Sequence, residues 1–308
     1  MSRSAPRDAS AGWLRQRERG AVWAIELATF VATRFGRPPA RALARVIAAY
    51  YLLFDRRARR ASRAWLERVH GRPVRLAEIQ AHFSCFAQAT MDRLFFARRA
   101  LGEIEVHRTG NQHLEALARA KRGAILLGAH LGSFEAMRAS SDVEQFPVTI
   151  VGHFENARMI NAVLERLDPG QSSRVVHAGR DPIALALTLR DRLAEGGMIA
   201  LLADRVGLND KSIAVEFFGA KARFATGPFL LAAILKCPIY LVFGIYRPPG
   251  RYELFCEPFA EQIVLPRGRR DEVLQSEVAR YARRLEVYAR QAPDNWFNFF
   301  DFWEQRSS

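Results

Sequence analysis

Apolar residues in the middle of the chain come in short blocks, each followed by a longer run of helix formers. One such block, Gly123-Ala-Ile-Leu-Leu-Gly128, is too short and too glycine-bounded for a helix and predicts a buried strand over 124–129. Similar blocks at 146–151, 174–177, 198–203, 239–245 and 252–256 predict further strands. Between them, the stretch from Phe134 onward and residues 156–167, 182–194, 228–235 and 271–290 carry helical patterns without internal breakers. Strands alternating with helices specify an α/β fold, a central sheet flanked by helices.

The first hundred residues have a different texture. Two apolar segments, 21–35 and 42–54, are separated by Gly36-Arg-Pro-Pro39, and each is shorter than the roughly 20 apolar residues of a spanning helix. The second sets Leu43, Val46, Ile47, Tyr50 and Phe54 on one stripe and is followed by Arg56, Arg57, Arg59, Arg60 and Arg63. An apolar stripe beside a basic cluster predicts a helix lying on an anionic membrane surface; a helical hairpin packed on the main domain, with a solvated arginine face, is the alternative. A third helical pattern covers 77–99. The expected organisation is a disordered basic tail at 1–20, a helical membrane-associating region at 21–100 and an α/β domain at 101–308.

Charge sharpens this division. The chain has a net charge of +14, and residues 1–75 hold 17 arginines against five acidic residues, so the remaining three quarters are close to balanced. A basic arm beside a near-neutral domain points to docking on an anionic surface, and no nucleic-acid-binding motif is readable, which argues against a nucleic-acid partner. The cysteines Cys85, Cys237 and Cys256 are scattered and read as core filling in a reducing compartment. No secretory leader is evident.

The candidate chemistry sits after the first strand block. His130 falls at the strand's end, where ligands of open α/β sheets collect, and Glu135 falls in the first turn of the next helix. The turn Leu131-Gly-Ser133 lets the two side chains meet, and a neutral imidazole held by a carboxylate is a general base. Gly132 either admits a close approach by an acceptor or simply forms a tight turn. Ser133 lacks the Gly-x-Ser-x-Gly context of a hydrolase nucleophile. His107 and His113 lack supporting metal ligands, so neither a metal nor a cofactor is expected.

His130 and Glu135 form a His-x-x-x-x-Glu pattern that resembles the signature of the bacterial lipid A biosynthesis acyltransferases. Further segments resemble that family in the same order. They are Met198-Ile-Ala-Leu-Leu-Ala-Asp204-Arg205, Phe217-Phe-Gly219 followed by Thr226-Gly227-Pro228, Arg251-Tyr-Glu-Leu, and Ala292-Pro-Asp-Asn-Trp296. Two departures, Val151-Gly-His-Phe-Glu155-Asn and the aromatic end Trp296-Phe-Asn-Phe-Phe-Asp-Phe-Trp303, resemble the branch found in aryl-polyene, flexirubin and xanthomonadin pigment clusters.

The resemblance implies a glycerol-3-phosphate acyltransferase-like fold. It also implies transfer of a fatty or aryl-polyene acyl group from an acyl-carrier-protein thioester to a hydroxyl of a lipid or glycolipid acceptor. His130 would be the base, oriented by Glu135, with the N–H groups of the Leu131–Phe134 turn offered to the oxyanion. Asp204, Arg174, Gly132, Ser133, Thr226 and Gly227 are the implied substrate-contacting residues, with Arg166 second to Arg174. Asp204 alternatively forms an ordinary pair with Arg205. Phe217, Phe218, Phe224 and Phe229, or Phe297, Phe299, Phe300 and Trp303, line an acyl channel or are plain core, and the terminal group is alternatively a membrane-interface belt. The partners implied are the carrier protein and an anionic lipid surface, at the cytoplasmic face of the bacterial inner membrane, peripheral or shallowly inserted. The competing readings are a lipid A or other glycolipid acyltransferase and, in another class, a non-catalytic basic protein that binds membrane or nucleic acid through residues 1–75.

Overall fold

The computed structural model describes residues 22–98, 104–143, 146–152, 175–177, 182–207 and 211–303. The expected tail at 1–20 and the expected helix at 156–167 lie outside the described residues.

Four helices come first: α1 (Val22–Phe35), α2 (Arg37–Phe54), α3 (Arg56–His70) and α4 (Leu76–Ala97). Gly36, at φ 81°, breaks α1 from α2, whose first turn carries prolines that need no N–H partner there. Asp55 stops α2 and caps α3 by accepting from the Ala58 amide at 3.0 Å, and Gly71, left-handed at φ 65°, ends α3. The arginine cluster 56–63 is therefore helical, which the sequence reading left without an element. The buried face of α2 is Ala40, Ala44, Ala48 and Leu52, small residues that bring it close to α4. Its bulky residues Val46, Tyr50, Leu53 and Phe54 face outward, Phe54 being 70% exposed. Of the expected stripe, Val46, Tyr50 and Phe54 are turned away from the protein, while Leu43 and Ile47 are half-buried.

The sheet follows. Its strands are β1 (Glu105–Thr109), β2 (Ala124–Gly128), β3 (Val148–Gly152), β4 (Val175–His177), β5 (Met198–Leu202), β8 (Ile239–Arg247) and β9 (Arg251–Ala260). They form one seven-stranded sheet in the order β1-β9-β8-β2-β5-β3-β4. From β8 to β4 every pairing is parallel; β9 runs antiparallel to β8, and β1 is parallel to β9. The intervening helices are α5 (Asn111–Arg119), α6 (Phe134–Val143), α7 (Pro182–Ala194), α8 (Gly227–Leu235) and α9 (Arg270–Gln291), and β6 (Ser212–Phe217) pairs with β7 (Ala220–Ala225) as a separate hairpin. This is the α/β sheet flanked by helices that alternation predicts; β1, α5 and the β6–β7 hairpin were not foreseen.

Strand β2 is buried along its whole length, and its alternate residues feed opposite faces. Ile125 and Leu127 pack with Val278, Tyr281 and Leu285 of α9, whereas Ala124 and Leu126 share a cluster with Leu117 of α5. The N-terminal helices join these cores. Trp65 of α3 and Phe83 of α4 belong to the α9-side cluster, and Arg37 makes a buried two-point pair with Asp92, at 2.8 and 2.6 Å, that also accepts from Tyr252 of β9 at 2.8 Å. Replacing one partner of such a pair leaves an uncompensated buried charge, so the pair locks α2 to α4 and to the sheet. The three cysteines are buried free thiols, as expected of core filling.

Candidate active site

Parallel pairing explains why two residues 74 positions apart meet. Gly128 is in register with Leu202, and the Ala203 amide continues the ladder to the Gly128 carbonyl at 3.1 Å. Two residues beyond that last pair, at the C-terminal ends of these two neighbouring interior strands, stand His130 and Asp204. The His130 Nδ1 lies 2.8 Å from Asp204 Oδ1, which also accepts the His130 backbone N–H at 3.1 Å. Asp204 Oδ2 accepts the Trp296 indole N–H at 3.0 Å. A carboxylate fixes the proton on Nδ1, leaving the Nε2 lone pair for an incoming proton. The His130 side chain is 30% exposed while Asp204 is 0% exposed, so the imidazole opens outward and its partner is closed off from solvent.

The electrostatics agree with that division. Burial favours the neutral acid, yet His130, Arg205 and the Trp296 N–H hold Asp204 down at about 2, so it is ionised at neutral pH. Burial and the neighbouring Arg205 push the His130 imidazole below its ordinary value, against the opposing pull of Asp204 and Glu135. His130 is thus neutral and ready to accept a proton at pH 7.

Glu135 is in the first turn of α6, as the sequence reading placed it, and its carboxylate pairs with Arg93 of α4 at 2.7 Å. It makes no hydrogen bond to His130; its influence there is that of a nearby charge. The orienting contact expected of Glu135 is made by Asp204. Asp204 in turn does not form the alternative pair with Arg205, whose guanidinium bonds Asn298 Oδ1 at 2.7 Å and the Phe297 carbonyl at 2.9 Å.

The turn after His130 is held from two sides. The Gly132 amide donates to the Asn295 carbonyl and the Ser133 amide to the Gly244 carbonyl, at 2.8 and 2.7 Å. Two of the expected oxyanion donors are therefore committed within the protein. Gly132 sits at φ 75°, and a Cβ there would lie 1.9 Å from the Gly244 carbonyl oxygen, so a tight turn against β8 requires the glycine. Ser133 is buried and caps α6, its hydroxyl accepting from the Ala136 amide at 3.1 Å. Thr226 is also buried, closing the β6–β7 hairpin through its hydroxyl to the Lys211 carbonyl at 3.0 Å, and Gly227 is exposed at the start of α8. Among the described residues, neither is hydrogen-bonded to His130, Asp204 or Glu135. Arg174 and Arg166 lie outside the described residues.

The segment 292–303, which the sequence offers as channel lining, core or membrane belt, instead braces the strand-end pair through Trp296 and Asn298. Its Trp296 bridges Leu131, and the Phe297 amide donates to the His130 carbonyl at 3.0 Å. Trp296 and Asn298 both turn to Asp204 Oδ2, the latter at 3.5 Å. Trp65 holds the segment's start by donating to the Pro293 carbonyl at 2.8 Å. The Pro-Asp-Asn-Trp motif was visible in the sequence, but nothing local told that its indole would reach a strand-end aspartate.

A cavity of about 70 Å³ lies beneath α6, on the face of the sheet that carries Leu126, lined by Phe134, Met137, Val148, Val242 and Leu254 with Arg108 and Arg138 among its polar lining. The aromatic residues expected to line an acyl channel are elsewhere. Phe217, Phe224 and Phe229 are fully buried core against Tyr281 of α9 or the terminal aromatics, and Phe300 and Phe302 join them. Phe218, at φ 49°, and Gly219, at φ 73°, make the tight turn of the β6–β7 hairpin, which accounts for that motif structurally. Phe297 and Phe299 are half-buried against Phe86 of α4.

No curated protein sequence matches the chain. The model of one family, described as bacterial lipid A biosynthesis acyltransferase, matches residues 12–305, covering every strand and helix described above. With a strand-end histidine held by an ionised aspartate, and with that match along nearly its whole length, the chain belongs to the bacterial lipid A biosynthesis acyltransferase family and is an acyltransferase acting on a lipid acceptor.

Proposed function

We infer that the protein transfers an acyl group from an acyl-carrier-protein thioester to a hydroxyl of a lipid or glycolipid, with His130 as general base. The observation that carries this reading is the 2.8 Å contact between His130 Nδ1 and the buried, ionised Asp204. His130 Nε2 removes the acceptor hydroxyl proton as the oxygen attacks the thioester carbonyl. The tetrahedral intermediate collapses with cleavage of the carbon–sulfur bond, and the imidazolium returns the proton to the departing thiolate. Asp204 fixes the tautomer, and the Arg93-paired carboxylate of Glu135 adds negative charge beside the imidazolium.

Access to a lipid acceptor follows from the outward face of α2. Val46, Tyr50, Leu53 and Phe54 are exposed together, with Arg56, Arg57 and Arg60 at the start of α3 next to them. Exposed apolar residues beside arginines fit shallow docking on an anionic bilayer, and no helix of the described residues is long and apolar enough to cross one. The acidic carrier protein is the second partner that the basic arm suits. The departures at 151–156 and 296–303, which resemble the pigment-cluster branch, suit an aryl-polyene acyl chain on a lipid acceptor.

The test is direct. Purified protein and its His130→Ala variant are incubated with acyl-carrier-protein thioesters and extracted bacterial membrane lipid, and mass spectrometry follows thioester loss and acylated lipid. Acylated product from the parent alone supports the reading, and its mass names the acceptor class. A folded His130→Ala protein of ordinary activity would sink it, since general-base catalysis is worth roughly 10²–10⁴ in rate.

A further inference from the structure

One buried titratable side chain takes no part in the chemistry above. His82, on α4, is 0% exposed and has both ring nitrogens engaged. Nδ1 is 2.8 Å from Ser62 Oγ on α3, and Nε2 is 3.1 Å from the Trp296 carbonyl oxygen. A carbonyl only accepts, so Nε2 carries the proton and Nδ1 accepts from the serine hydroxyl. Burial holds the ring neutral, at about 4. Its ring also stacks on Phe299, with centroids 4.6 Å apart.

The carbonyl that His82 grips belongs to the residue whose indole grips Asp204. Ser62, His82, Trp296, Asp204 and His130 thus form one continuous series of directed contacts, at 2.8, 3.1, 3.0 and 2.8 Å, with the rigid Trp296 residue as its middle member. The Trp296 backbone is also fixed by the Leu131 bridge, but that bridge runs beside His130 and sets the strand's position along the turn. The His82 contact enters from the helical layer and fixes residue 296 from the opposite partner. Packing alone does not call for an imidazole here, because an apolar side chain would fill the site without the desolvation cost of a polar ring.

We propose that His82 is a positioning residue for acyl transfer, holding Trp296 so that its indole N–H keeps the Asp204 carboxylate aimed at His130 Nδ1. This rests on the reading of His130 as the base, and it extends the working site to helices α3 and α4. Loss of the Nε2–H contact leaves the Trp296 carbonyl to the Asn298 amide alone, at 2.8 Å, removes the one tie from α4 to that carbonyl, and so loosens the indole's hold on Asp204 Oδ2 and the aim of the carboxylate at the imidazole. A displacement of about 1 Å at a reacting group can cost on the order of 10² in rate.

The experiment compares parent, His82→Phe, His82→Gln, Trp296→Phe and the double variant His82→Phe/Trp296→Phe. His82→Phe is expected to lower kcat about tenfold with KM within about twofold, and His82→Gln, which offers an amide N–H to the same carbonyl, to recover most of it. If His82 acts through Trp296, the double variant is no slower than Trp296→Phe alone, whereas independent effects would multiply. His82→Leu, which removes the same N–H with a good helix former, serves in place of His82→Phe should that variant fail to fold. A second readout needs no turnover: the His130 ring N–H resonance, assigned by its absence from His130→Ala, should be hydrogen-bonded in the parent and exchange faster in His82→Phe. Multiplicative rate effects, or an unchanged His130 N–H signal in folded His82→Phe, overturn the proposal. A parent that turns over no thioester while this signal still depends on His82 would instead count against the proposed reaction alone.

Discussion

Two carboxylates compete for the role of holding His130, and replacing each by its amide separates them. Asp204 presents Oδ1 to two N–H groups of His130 and Oδ2 to the Trp296 indole, all within 3.1 Å. An asparagine has only one oxygen. With its NH2 toward Trp296 the tautomer survives but the negative charge is lost; with its NH2 toward His130 the ring must move its proton to Nε2 and is no longer a base. A unit charge 2.8 Å from the imidazolium is worth up to about 6 kcal/mol at an effective dielectric constant near 20. That is a rate factor of roughly 10⁴, and Asp→Asn in Ser-His-Asp hydrolases costs about the same. Glu135 is already paired with Arg93 at 2.7 Å, partly exposed and without a hydrogen bond to His130, so Glu135→Gln should cost under about 1 kcal/mol, less than tenfold. The assay is kcat for acyl transfer at saturating thioester, with a thermal melt to verify folding. Asp204→Asn should fall by 10²–10⁴, with a lower melting temperature because one buried donor loses its acceptor. Equal losses in the two variants, or an Asp204→Asn enzyme retaining more than about a tenth of kcat, would refute the assignment of the orienting carboxylate.

The pH dependence of kcat/KM should show its acid limb below the ordinary imidazole value of about 6.5, because burial and Arg205 lower the His130 pKa and the neutral ring is the active form. Stability carries its own signature from His82. Its pKa is depressed in the fold to about 4, so the unfolded chain binds more protons between about 6.5 and 4. That contribution is complete above pH 6.5 and is lost as pH falls toward 4, by about 3 kcal/mol, and denaturant unfolding of His82→Gln should be flatter over this window than that of the parent. Gly132→Ala places a methyl 1.9 Å from the Gly244 carbonyl at a φ of 75°, so it should lower the melting temperature sharply or prevent folding, and a normal melt would contradict the turn described. Leu53→Ser/Phe54→Ser removes two side chains that are 63% and 70% exposed, so the melt should be unchanged while cosedimentation with anionic vesicles falls at least about tenfold; unchanged binding would exclude this face.

Hydrophobic periodicity alone was enough to place most elements. The predicted helix at 182–194 agrees with α7 at both ends, and the strand predicted at 124–129 is β2, Ala124–Gly128, because buried parallel strands and their covering helices write continuous and periodic apolar patterns into the chain. The exposed strand β1 and the short helix α5 carried too little apolar signal to be read, and the β6–β7 hairpin was hidden because its turn is Phe218-Gly219, where a bulky residue takes a left-handed conformation usually left to glycine or asparagine.

The site divides in the same way. Local spacing offered His130 as the candidate base and put Glu135 at the start of α6, and it named Asp204 as a strand-end acid. It favoured Glu135 as the partner because the sequence shows only neighbours along the chain. Asp204 wins because β2 and β5 are paired in parallel register, which sets the positions following Gly128 and Leu202 side by side at the C-terminal ends of the two strands. The same holds for α2: its periodicity was legible, but which side turns inward was decided by close packing of Ala40, Ala44 and Ala48 on α4, leaving the bulkier side chains outside. Composition and periodicity determine which segments become strands and helices, since those choices depend on neighbours within a turn or two. Which carboxylate reaches the histidine, and which aromatic holds that carboxylate, depends on strand order and on a segment more than 160 residues further along the chain, and only the tertiary structure decides them.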